Sequence, residues 1–187
     1  MLMANATSLP AMYHRLIFPL VLLFLSVCPV LRAADPVLTL KFGEKTVALT
    51  EAEFTALPHT EVTVPEQGDE PERRYAGVAM RDLLAKVDAP LGDKMRGEGL
   101  MAGVIVRCKD NYAVLFSLAE FDENFSNRTI LLADKENGEI LPPSAAPLRV
   151  ITPGDKRGAR SCRQVTSIEV VSMGKLKRAV VAPAKTE

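Results

Sequence analysis

Pro147-Leu148-Arg149-Val150-Ile151-Thr152-Pro153-Gly154-Asp155-Lys156-Arg157-Gly158-Ala159-Arg160 decides the reading of this chain. Leu148 to Thr152 is an aliphatic, β-branched run of strand length, and Pro153-Gly154 stops it. The loop that follows is basic and carries two glycines. Gly154 and Gly158 let backbone N–H groups approach a ligand closely, while Lys156, Arg157 and Arg160 set positive charge beside them. This loop is the expected anion-binding site.

The segments on either side are strands with short helices between them. Val37 to Phe42 and Thr46 to Leu49, joined through Gly43-Glu44, read as a hairpin. Thr50-Glu51-Ala52-Glu53 has capping-box spacing and starts a short helix that ends before Pro58; Thr60 to Val64 is strand-like. Pro65 to Arg74 reads as a loop, and Val78 to Val87 as a helix with Leu83, Leu84 and Val87 on one face. Gly103 to Cys108 and Ala113 to Phe116 make a second hairpin around Lys109 to Tyr112. Ser117 to Glu120 repeats the capping-box spacing, Thr129 to Ala133 is β-rich, and Glu136-Asn137-Gly138 is a turn. Ile168 to Val171 is the last strand. Without regular βαβ alternation, this order predicts an α+β domain built on a single mixed sheet rather than a doubly wound parallel one.

Residues 1–34 stand apart. Leu16 opens an apolar run that reaches Leu31, preceded by His14-Arg15 and followed by Ala33-Ala34, the order of a secretory signal peptide. It predicts an exported, periplasmic or secreted protein, with membrane attachment only where the segment stays uncleaved. The rest, residues 35–177, is sized for one domain, and Arg178 to Glu187 reads as a disordered tail. Over the full chain 23 basic side chains balance 23 acidic ones, which argues against a general nucleic-acid or membrane-surface binder. Beyond the signal only Cys108 and Cys162 remain, able to form at most one disulfide in an oxidising compartment.

From Tyr75 to Val171 the chain resembles the oxidoreductase molybdopterin-binding domain, the sulfite-oxidase-type fold, and especially its small exported single-domain members. Tyr75-Ala76-Gly77-Val78 with Leu83-Leu84, Asp110-Asn111-Tyr112 with Ser117 to Glu120, Ile130 to Ala133, Pro147 to Gly154, and Arg163-Gln164-Val165 with Ile168-Glu169-Val170 carry the likeness. The resemblance implies a mixed α+β fold and a molybdopterin-like or other small anionic ligand, with Gly154, Lys156, Arg157, Gly158 and Arg160 as its contacts. In catalytic members of the family a cysteine thiolate binds molybdenum from the loop after an early strand. Here the corresponding Val64 to Asp69 has no cysteine, only Glu66 and Asp69, and carboxylates are poor substitutes for a soft sulfur ligand. Cys108 is a weak alternative metal ligand, because it aligns with a later strand. Cys162, between Arg160 and Arg163, reads first as a partly buried residue at a strand entrance and only second as a thiol whose pKa the arginines lower.

Other chemistry finds little material. His59 is the one histidine beyond the signal, which leaves nothing for a multi-histidine metal site or a conventional triad. Ser117 and Glu120 are explained by capping, and Asn111-Tyr112 by a hairpin turn and a packing aromatic. Three readings stay open: a molybdopterin-dependent oxidoreductase or cofactor carrier, a cofactor-free periplasmic binding or sensor-partner module, and a structural or assembly partner. The absent cysteine argues against redox catalysis and moves the activity from the first toward the second.

Overall fold

In the computed structural model, residues 34–65 and 71–172 are described. The expected signal segment up to residue 33, Glu66 and Asp69, and the expected tail all lie outside them. The chain enters as the predicted hairpin, β1 (Leu38–Phe42) and β2 (Lys45–Leu49), turning at Gly43 with φ +58°. Thr50 then caps α1 (Glu51–Thr55). The Glu53 amide donates to the Thr50 hydroxyl, and the Glu53 carboxylate accepts the Thr50 amide at 2.8 Å, so two of the helix's orphan donors are satisfied.

Among the described residues, ten strands divide between two sheets. One runs β2-β1-β10-β5-β6, with β5 (Ala102–Cys108), β6 (Ala113–Ser117) and β10 (Val165–Ser172). The other runs β3-β4-β7-β8, with β9 also paired to β7. These are β3 (Thr60–Val64), β4 (Arg73–Ala79), β7 (Leu131–Glu136), β8 (Glu139–Ile140) and β9 (Arg149–Ile151). The α+β class stands. Where the sequence predicts a single mixed sheet, the structure has a mixed sheet, made so by the parallel pair β1/β10, and a separate antiparallel one.

Burial explains the division. In the first sheet the side chains alternate, with Leu38, Leu40, Val104, Val106, Val114, Phe116, Ile168 and Val170 turned into the main core. In the second sheet β7 is buried on both faces. Leu132 joins the main core, while Leu131 and Ala133 pack with Tyr75, Leu141, Ala145 and Ile151 in a smaller one behind it. Helix α2 (Met80–Lys86) buries Met80, Leu83 and Leu84.

Two boundaries differ from the sequence reading. Arg73 to Ala79 is strand, not loop running into helix, because β4 finds partners on both sides, β3 and β7, and that pairing outweighs its charged start. Strand β7 continues through Asp134-Lys135-Glu136, since Asn137 and Gly138, both at positive φ, fold it back onto β8. Gly77 marks the tightest approach between strands. A Cβ there would stand 2.2 Å from the Leu132 carbonyl oxygen, so no side chain fits.

Candidate functional site

The loop from Thr152 to Gln164 joins β9 to β10 and contains a 3₁₀ turn, Gly158–Arg160. After that turn the chain comes back alongside β9. The Val150 amide donates to the Cys162 carbonyl at 2.9 Å, the Val165 amide to the Leu148 carbonyl at 2.9 Å, and Arg149 and Arg163 stand opposite each other in an antiparallel bridge. Ser161 ties the returning strand down, its hydroxyl accepting the buried Thr152 amide at 3.2 Å. The loop therefore has two sides with different electrostatics.

One side is an internally neutral network. Arg160 donates from Nε to Asp155 Oδ2 at 2.7 Å, from Nη2 to Asp155 Oδ1 at 2.8 Å and from Nη1 to Glu120 Oε2 at 2.8 Å. Arg128 reaches the same two carboxylates, at 2.9 Å to Asp155 and 3.2 Å to Glu120. Glu120 is held by the second capping box, its other oxygen accepting the Ser117 amide at 3.1 Å. The Arg160 guanidinium lies over the Phe116 ring, 5.0 Å from its centroid. Hydrogen bonds from Arg160 hold the Asp155 carboxyl below its ordinary range, and Asp155 and Glu120 in turn raise the pKa of Arg160. Two arginines and two carboxylates cancel, so Arg160 enters this network with its charge already matched.

On the other side is a cavity of about 510 Å³. Arg149, Arg163, Tyr112, Ser144, Ser161 and Gln164 line it together with Asp110, Cys162, Gly158 and Ala159. Arg149 is held in place by donating from Nη1 to the Tyr75 hydroxyl at 2.9 Å and by stacking over that ring, 5.2 Å from its centroid. Glu136 is shared: its Oε1 bonds Arg73 at 2.7 Å, while its Oε2 makes only a long ion pair with Arg149 at 3.9 Å. Arg149 Nε is buried with no hydrogen-bond partner among the described residues. Two like charges directly opposite each other on paired strands repel. An anion held between them removes that repulsion.

Of the five residues expected to contact an anion, Gly158 lines this cavity, and a side chain there would meet nothing within 4 Å. Gly154 sits at the start of the loop with φ +83°, and Lys156 and Arg157 are on its exposed crest. Arg149 and Arg163 were missed as site residues by sequence reasoning. Both are written in the segments that carry the family resemblance, but the bridge that makes them face each other is a tertiary fact. Tyr112 differs from its expected role. It is 46% exposed, and its hydroxyl donates to the Ala159 carbonyl at 3.0 Å, pinning the 3₁₀ turn rather than packing in the core. Asn111 takes the left-handed turn conformation at φ 66°.

Both cysteines follow the plainer of the readings given to them, as buried residues. Cys108, at the end of β5, and Cys162, in the cavity wall, are both buried free thiols. Burial pushes the Cys162 thiol far up, and the neighbouring Cys108 adds to it, so the arginines on either side do not produce a thiolate. Cys108 is likewise raised by burial. Among the described residues no three His, Cys, Asp or Glu side chains are grouped to hold a metal ion. His59 bridges two elements instead, Nδ1 lying 2.7 Å from the Leu57 carbonyl and Nε2 3.2 Å from the Asp134 carboxylate. The cavity thus fits the anionic and polar parts of a pterin-type cofactor through its arginines, hydroxyls and Gln164. It does not supply a thiolate to a metal.

No curated protein sequence matches the chain. Its fold is similar to that in the crystal structure of the sulfane dehydrogenase SoxCD from Paracoccus pantotrophus, with a TM-score of 0.55 at 18% identity. That match covers 71% of this chain and 37% of the other, so this chain spans little more than a third of its neighbour's length. A family model for the oxidoreductase molybdopterin binding domain matches residues 38–177, from the first strand past the last. With the strand order, the basic loop and that match in agreement, the chain belongs to the oxidoreductase molybdopterin-binding domain family.

Proposed function

We propose that this domain is an exported binding module that takes a molybdopterin-like or other phosphorylated organic anion in the cavity bounded by Arg149 and Arg163, without a protein thiolate to a metal. The observation that carries the reading is the opposed pair itself. Arg149 and Arg163 face each other across the Arg149–Arg163 bridge, both line the cavity, and the one carboxylate near Arg149, Glu136, is shared with Arg73, which holds it at 2.7 Å against 3.9 Å for Arg149. A phosphate between two guanidiniums gains charge-assisted, bidentate hydrogen bonds and relieves the repulsion at once. The exposed crest of Lys156 and Arg157 supplies longer-range attraction, and Gly158 leaves the rim open. Residues 1–34 direct the protein to the periplasm or outside the cell, where a binding module meets a small ligand or a sensor partner.

Two measurements test it. Protein purified from a host that makes and exports molybdenum cofactor is assayed for bound pterin by fluorescence after oxidation, and for molybdenum by elemental analysis. In parallel, inorganic phosphate is titrated against the melting temperature. Pterin retained by the native chain and lost in Arg149→Gln, or a phosphate-dependent rise in Tm that Arg149→Gln abolishes, supports the reading. Neither pterin nor a phosphate effect would sink it. Stoichiometric molybdenum with pterin would restore the oxidoreductase reading in place of the binding module.

A second reading, a surface for an assembly partner, is favoured by one feature. Edge strand β6 exposes Leu115, 56% accessible, beside Leu100, 46% accessible, around a shallow hollow formed with Met101, Gly103 and Phe116. Its test is the sedimentation of native protein against Leu115→Lys; identical monomeric behaviour in both would remove self-assembly.

A further inference from the structure

Gln164, between Arg163 and the start of β10, holds a backbone conformation that favours a smaller residue. Its φ is +54°, in the left-handed region where glycine or asparagine is the ordinary occupant and a longer side chain costs conformational energy. The same residue interrupts strand alternation. In a regular strand Arg163 and Val165 would share a face, yet Val165 is fully buried in the main core while Arg163 is exposed and lines the cavity. The twist at Gln164 gives one side chain to the core and the other to the cavity.

Glycine would hold that twist without strain, so the glutamine side chain needs a reason of its own. Gln164 Nε2 donates to the Pro143 carbonyl at 3.1 Å, and the Gln164 amide donates to the Ala145 carbonyl at 3.1 Å. These two bonds grip the chain on either side of Ser144. Gln164 is itself anchored, its carbonyl accepting the Lys109 amide at 3.0 Å just past the end of β5. Ser144, exposed between the two gripped carbonyls, lines the same cavity as Arg149 and Arg163.

We infer that Gln164 is a positioning residue that presents Ser144 to the anion as a third, uncharged contact beside Arg149 and Arg163. The inference rests on the ligand reading above and goes beyond it by adding a hydroxyl to the site. A serine hydroxyl donates to a phosphate oxygen without adding charge, and each phosphate oxygen accepts more than one hydrogen bond, so Ser144 adds to the two guanidiniums rather than competing with them. Gln164 acts through the turn it holds, not by touching the ligand.

Inorganic phosphate is titrated into the full chain, Gln164→Gly, Ser144→Ala and the double variant, and followed by equilibrium dialysis and by Tm. Gln164→Gly keeps the left-handed backbone and removes the side-chain bond, so its phosphate-free Tm should stay within about 4 °C of the native value. Its phosphate binding should nevertheless weaken about fivefold, the worth of one modest hydrogen bond. Ser144→Ala should weaken binding about as much, and the double variant no further, because both substitutions remove the same contact. Native affinity in Gln164→Gly or in Ser144→Ala, or losses that multiply in the double variant, would overturn the positioning role. A native chain that does not respond to phosphate would overturn the ligand reading and this inference with it, so the native protein alone tells the two failures apart.

Discussion

The two sides of the loop between β9 and β10 use the same side chain to opposite ends. Arg160 stacks on Phe116 and spends its donors on Asp155 and Glu120, whereas Arg149 stacks on Tyr75 and keeps a donor unmatched. A guanidinium whose carboxylates are supplied by its own chain organises structure. One that faces another guanidinium across a cavity is left to be matched by something else. Counting basic residues in a loop does not separate these cases; counting the carboxylates already committed to them does.

The contrast is broken most directly by removing each arginine in turn. Arg160→Ala leaves Asp155 and Glu120 with Arg128 alone and uncovers Phe116, so stability should fall by about 2 kcal/mol, as for hydrogen bonds to charged groups. A urea melt measures it, and a loss under about 0.5 kcal/mol would mean that solvent screens the network as it does an exposed pair. Arg149→Gln should do the reverse, weakening phosphate binding about tenfold, about 1.4 kcal/mol, while changing stability by less than about 1 kcal/mol. Equal effects of the two substitutions on phosphate would erase the distinction between the sides.

How far the sequence carried this distinction depends on what each residue's role rests on. The hairpins at Gly43 and Asn137-Gly138 and both capping boxes were legible because turn and cap chemistry is local. Strand β4 was not, because its partners β3 and β7 are distant in sequence and its first residues are two arginines. The candidate site divides the same way. That the loop is basic and open at Gly158 could be read directly; that Arg160 is neutralised from Glu120, and that Arg149 meets Arg163, required the fold.

Acid sharpens the comparison. Arg160 hydrogen bonds depress the Asp155 pKa; at Asp122, burial pushes upward but is outweighed by amides from Gly92 and Asn124, so that carboxyl is depressed too. A depressed folded-state pKa gives stability that is fully present above the unfolded value, about 3.9, and is lost as pH falls below it toward the folded value. Urea midpoints should therefore drop below about pH 4 in the native chain. Arg160→Ala should flatten part of that drop, since Asp155 loses its main partner, and Arg149→Gln should leave it unchanged. A limb unaltered by Arg160→Ala would place the acid response at the other depressed carboxyls, Asp122, Glu53 and Asp88.

The two glycines look equivalent in sequence and differ in what their backbones demand. Gly154 has φ +83°, so Gly154→Ala forces a left-handed conformation on an L residue and should cost about 1–2 kcal/mol. Its added methyl would meet Arg128 Cδ at an ordinary 3.6 Å, which leaves backbone strain as the cause. Gly158 has open space around the missing side chain and no such backbone demand, so Gly158→Ala should change stability by less than about 0.5 kcal/mol. Because Gly158 borders the cavity and Gly154 does not, a bulky Gly158→Phe tests the rim without touching either arginine. Phosphate is small enough to pass it, while a pterin-sized ligand is not. Retained phosphate stabilisation with lost pterin would place the larger ligand's body against the 3₁₀ turn; loss of neither would put it on the Ser144 side of the cavity instead.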